Sequence, residues 1–162
     1  MFSPVHLLAG FTLAKFVPGG PIPIFLTAVL SHLLLDAIPH GDAGIGHWLH
    51  TAPNRKTKLL RLLSMAAADQ LFTLALFLLL LRSPQFGYVP LPLLLVGSIG
   101  SILPDYISGI RDLLPHPPGW LEKLHRLHQR CHYRGHDPLS IRGGLVFQTL
   151  LTLAAICASY IL

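Results

Sequence analysis

The chain has 162 residues, enough for one domain. Hydrophobic residues make up 52% and charged residues 12%, about half the roughly 25% charge of soluble domains, which argues against an ordinary soluble protein and for an integral membrane protein. The net charge of +5 matches the basic loops of such a protein, so no nucleic-acid partner is needed to account for it. Cys131 and Cys157 are too few and too far apart for a disulfide framework or a cysteine zinc site.

Five apolar segments follow in order. The first runs from about Pro4 to Val17, with Pro4 suited to a helix start. It has no basic leader region and is expected to be retained rather than cleaved. Val17-Pro18-Gly19-Gly20-Pro21 breaks it. The second runs from about Ile22 to Ile38, the third from Leu59 to Leu81, the fourth from Leu91 to Ile110 and the fifth from Gly144 to Leu162. The last three approach the ~20 residues that cross a bilayer, and the first two are nearer to a partly embedded length. A further helix, Gly119 to Arg134, carries Leu121, Leu124, His125, His128, Cys131 and His132 on one side and Lys123, Arg126, Arg130 and Arg134 on the other. That is the pattern of an interfacial amphipathic helix, and Trp120 suits an interface. The expected fold is therefore a single all-α membrane domain over 1-162: a compact bundle of four to five transmembrane or membrane-embedded helices plus an interfacial helix.

Loop charge orients the bundle. Arg55, Lys56, Lys58 and Arg61 flank the second connection. Arg111, Lys123, Arg126, Arg130, Arg134 and Arg142 fall in the fourth. The positive-inside rule places both in the cytoplasm of a cell whose inner, plasma membrane holds the protein. With that orientation His6, His32, Asp36, Asp69 and Asp105 all fall in the cytoplasmic half of the bilayer. Asp69 lies roughly 15 Å into its helix. Ionisable groups at such depth are costly, pair with one another and commonly mark function.

The stretch Ser31–Asp42 is the focus of the chain. His32, Asp36 and His40 recur every fourth residue and share one helix face, with Asp42 just beyond. Histidines and carboxylates converging from several helices make a metal site for a divalent cation. Its expected ligands are His6, His32, Asp36, His40, Asp69 and Asp105, with His125, His128 and His132 as a second tier. Asp36, Asp42 and Asp69 are the expected catalytic carboxylates, Asp42 as a general base. The plainer reading of each is a polar contact that glues helices together. His47, His50 and His116 read as solvated loop residues, and His136-Asp137-Pro138 as a turn. Gly97, Ser101, Asp105 and Gly109 form a small-residue row that lets the fourth helix pack closely.

Ser31-His32-Leu33-Leu34-Leu35-Asp36 resembles the His-Asp helix of small membrane-bound proteins identified as predicted metal-dependent hydrolases, the LexA-regulated inner-membrane type. Leu103-Pro104-Asp105 is similar to their Pro-Asp element, and Val5-His6-Leu7-Leu8-Ala9-Gly10 to their N-terminal histidine. In that family the Pro-Asp element precedes the His-Asp helix, whereas here it follows, and its second Asp is replaced by Ile107. His32 and Asp36 also resemble the His-x-x-x-Asp helix of zinc-dependent phospholipase C and P1-type nucleases. Both resemblances imply zinc and hydrolysis of a phosphoester, with a lipid or lipid-linked phosphate as the substrate suited to a site at the interface. Two other functions remain open on the residues: a cation or proton transporter that uses the same carboxylates as a relay, and a structural protein in which the cluster fixes packing. Haem held by His6 and His32 is a remote fourth.

Overall fold

A computed structural model describes residues 1–41, 43–133 and 139–161. Asp42, Arg134 and the His136-Asp137-Pro138 turn lie outside the described residues. The described chain is all helical: α1 (Ser3–Phe16), α2 (Pro21–Asp36), α3 (Ala43–His50), α4 (Arg55–Leu81), α5 (Leu91–Leu113), α6 (Gly119–Cys131) and α7 (Ile141–Ile161).

Proline and glycine punctuate these helices. Val17, held extended at φ −84° and ψ 116° ahead of Pro18, ends α1. Gly20, at φ 87°, then turns the chain into Pro21 at the start of α2. The Asn54 side chain accepts the Thr57 N–H at 2.8 Å and caps α4, so that helix begins four residues before its apolar stretch. Hydropathy had placed that start at Leu59, but Arg55, Lys56 and Lys58 are good helix formers and extend the first turn.

Among the described residues α4 and α5 are long and apolar enough to cross a membrane, while α1 and α2, with 14 and 16 residues, are shorter than a full span. Residues 43–50, expected as loop, form α3.

α5 is the central strut, packed against α1, α2 and α6. Its small residues make this possible. A Cβ on Gly10 would lie 2.5 Å from the Gly97 carbonyl oxygen, and one on Gly100 would lie 2.8 Å from that of Phe25. Gly109, expected in the same row, has open space around it. The bundle has two unlike ends. Leu7, Phe11, Ala14, Ile24, Leu76, Leu80, Phe86, Val89 and Leu94 form one apolar core, with Phe11 edge-on to Phe77 and Phe86 at 5.2 Å each. The other end buries His6, His32, Asp36, Ser101 and His128. α4 stands largely outside this packing, with 11% of its most apolar window buried, and exposes Leu71, Phe72, Leu74 and Leu78. So continuous an apolar surface marks a membrane or protein contact rather than water.

Candidate metal centre

Asp36 closes α2 and is fully buried. Its Oδ2 lies 3.1 Å from His32 Nε2, 3.0 Å from His128 Nε2 and 3.9 Å from His132 Nε2. The two imidazole nitrogens of His32 and His128 are themselves 3.1 Å apart. Asp105 Oδ1 completes the group at 3.7 Å from each. Ligands about 2.0–2.2 Å from one ion lie about 3–3.5 Å from one another, so four donors at these separations can surround a single cation. A second group, Asp36, His40 and His132, offers one atom each within 4.8 Å of one another and shares Asp36 with the first.

The outer ring nitrogens explain why these donors point inward. His32 Nδ1 lies 2.7 Å from the Ser101 carbonyl, which can only accept, so Nδ1 carries a hydrogen, and in the neutral ring Nε2 then presents a lone pair toward Asp36. His40 repeats the arrangement, with Nδ1–H donating to the Ile38 carbonyl at 2.6 Å. This is the outer-sphere bond that orients metal-binding histidines. In α5, Pro104 has no N–H to donate to the Gly100 carbonyl, the neighbour of the Ser101 carbonyl that His32 uses. A lone pair facing a buried carboxylate is repulsive unless a proton or a cation sits between them, and a divalent cation would satisfy all four donors at once.

α6 brings His128 to the centre and ties itself to α5. His128 Nδ1 is 2.7 Å from Ser108 Oγ, and His125 Nδ1 is 3.1 Å from the same oxygen. Two assignments satisfy all three, a relay from His128 Nδ1–H through the Ser108 hydroxyl to His125 or its reverse, and the first leaves His128 Nε2 with a lone pair toward Asp36. Burial, reinforced by Arg111, pushes the His125 imidazole below its ordinary range and so favours its neutral form. Arg111 grips Glu122 with two hydrogen bonds, Nε to Oε2 at 2.8 Å and Nη2 to Oε1 at 3.3 Å, and these hold the Glu122 carboxyl below its ordinary range. A carboxyl with a depressed folded value stabilises the fold above its unfolded value, near 4.3, and loses that contribution as the pH falls through the folded value. The melting temperature of the wild type is therefore expected to drop more steeply than that of Glu122→Gln as the pH is lowered from neutral to about 3. Parallel curves would mean that the pair does not clamp α6.

The structure sorts the expected residues. His32, Asp36 and Asp105 meet from α2 and α5, joined by His128 and His132 from the second tier. His40 reaches the centre from the loop after α2, not from the last turn of the helix: Pro39 restricts Ile38 and α2 ends at Asp36. His6 stacks on His32 with centroids 4.0 Å apart, and its Nε2 lies 3.2 Å from Asp36 Oδ1, alongside the Met1 amino nitrogen at 2.5 Å. It backs the centre and is in neither donor group. Asp69 is also in neither group. It accepts the Ser3 N–H at 3.2 Å, capping the start of α1 from α4. His125 acts through Ser108, and Asp42 is outside the described residues.

Gln148 was not among the expected residues. It is buried in α7, accepts the Phe2 N–H and donates to the His40 carbonyl, each at 2.8 Å. A single amide in an otherwise apolar segment was the signal for it. Comparison with family models, curated proteins and solved structures returned no match.

Proposed function

We propose that this chain is a membrane-bound metal-dependent hydrolase whose centre lies at the cytoplasmic end of its bundle and whose substrate is a phosphoester of a lipid or lipid-linked molecule. α4 and α5 span the bilayer, and α1, α2 and α7 are embedded beside them. The observation that carries the reading is the convergence of His32, Asp36, Asp105 and His128, with the outer nitrogens of both histidines already bonded. Imidazole and carboxylate donors suit zinc. Held by these residues, a divalent cation would supply a bound water of lowered pKa and polarisation of a phosphoryl oxygen. Asp36 is shared by both donor groups; its Oδ2 faces the histidines and would hold the cation, while its Oδ1 is taken by the Met1 amino group. Asp105 is the accessible member, with 35% of its side chain exposed, and marks where substrate approaches. The resemblance of Ser31–Asp36 to predicted metal-dependent hydrolases supports the same chemistry.

Transport is disfavoured because the opposite end of the bundle is closed by the Phe11, Ile24, Leu80, Phe86 and Leu94 core. The test is turnover. Protein in lipid nanodiscs, loaded with zinc, is expected to release phosphate or a water-soluble headgroup from phosphomonoester, phosphodiester or pyrophosphate lipids. Asp105→Asn should reduce the rate by about 10²-fold or more, and chelation should abolish it. A metal-loaded wild type inert on all three lipid classes would overturn the hydrolase reading and leave a structural metal centre.

A further inference from the structure

α6 has more faces than its place at the metal centre requires. Leu121, His125 and His128 turn toward α5 and the centre, and Leu121 and His128 are buried. Lys123, Arg126 and Arg130 recur at three- and four-residue steps on the outward side and are all exposed. With Leu127 they line an open recess of about 380 Å³. On the flank between these two faces Trp120, Leu124 and Leu127 follow the same spacing, 62%, 41% and 51% exposed. Glu122, the acid of this helix, is forked with Arg111 and also feels Arg126, so one carboxylate stands against the three cations of the basic face and leaves it positive.

We propose that α6 is a headgroup-docking helix: the Lys123, Arg126 and Arg130 recess takes the phosphate of an anionic phospholipid while Trp120, Leu124 and Leu127 enter the acyl boundary beside it. Charge complementarity chooses an anionic partner. The adjoining apolar stripe chooses a lipid surface over a nucleic acid, which would leave an indole and two leucines in water. Juxtamembrane basic clusters gain affinity from each cation placed near anionic headgroups. The inference needs no metal and stands apart from the hydrolase reading.

Trp120 provides the probe. The chain has two tryptophans, so Trp48→Phe leaves Trp120 alone. This protein is placed in nanodiscs of mixed phosphatidylcholine and phosphatidylglycerol, with brominated acyl chains on one lipid or the other. Brominated phosphatidylglycerol is expected to quench Trp120 at least about twofold more than brominated phosphatidylcholine at equal mole fraction. That preference should vanish at high salt and in the Lys123→Gln, Arg126→Gln, Arg130→Gln triple variant. The salt series on the unaltered basic face keeps the test decisive if the triple variant misfolds. Equal quenching by the two lipids, no quenching by either, or a preference that survives high salt would each overturn the proposal.

Discussion

Replacing Asp36 with alanine is expected to strip the chain of all specifically bound metal, because this carboxylate is common to both donor groups. Asp36→Asn should do nearly the same, since an amide cannot supply the charge. The fold will also suffer: taking one partner from a buried ionic cluster costs about 3–5 kcal/mol. The metal role separates from the packing role by linkage. A ligand present at about 1,000 times its Kd stabilises a folded protein by about 4 kcal/mol, so zinc should raise the wild-type melting temperature and leave that of Asp36→Asn unmoved. If Asp36 only glues helices, both proteins will ignore zinc while the variant melts earlier.

Gly97→Ala and Gly10→Ala should be among the most damaging substitutions away from the ionisable residues. The Gly10 Cβ would lie 2.5 Å from the Gly97 carbonyl oxygen, 2.7 Å from its carbon and 2.8 Å from Ser101 Oγ, and the Gly97 Cβ would strike the Gly10 carbonyl. Helical backbone on both sides cannot yield as a side-chain tip can. Overpacking of this kind costs about 1–3 kcal/mol, against the ~1 kcal/mol that alanine gains in helix propensity. Gly10 is one turn from His6, which stacks on His32, so forcing α1 off α5 should weaken metal binding as well. Gly109→Ala is the internal control: it lies on the same helix with nothing near its Cβ position and should be neutral or stabilising by up to about 1 kcal/mol. Thermal melting in one detergent would show the contrast, and equal effects at 97 and 109 would remove the close-packing account of α5.

The apolar segments were readable because hydropathy and proline punctuation are local properties. What hydropathy reports is fit to lipid, not the ends of helices. α4 therefore runs through Arg55, Lys56 and Lys58 to its Asn54 cap, and the short α3 went unseen. The inner pair, His32 and Asp36, was legible from i, i+4 spacing inside an apolar helix. His40 looked like the next member of that series, yet it arrives through a loop. In that loop Gly41 adopts φ 80° and lies so close to α7 that a Cβ there would sit 2.7 Å from the Gly144 Cα. That approach depends on α7, about a hundred residues away in sequence, and no local pattern encodes it.

His128 and His132 were visible as the polar side of an amphipathic helix. That description did not reveal that α6 folds back onto the end of α2, where the Tyr133 N–H donates to the Asp36 carbonyl at 2.8 Å. His132 follows the end of α6 in extended conformation, φ −65° and ψ 140°, which turns it out of the helical row. Asp69 illustrates the opposite case. Its depth promised a ligand, but a carboxylate is also the natural partner for the exposed N–H groups at a helix start, and Ser3 of α1 takes it.

Elemental analysis of protein purified in detergent without chelator tests the metal centre most directly. A divalent transition metal, zinc foremost, is expected to be bound, and His132→Ala should retain the ion held by His32, Asp36, Asp105 and His128. Folded wild-type protein that carries no metal, and takes up none from micromolar zinc, would contradict that expectation.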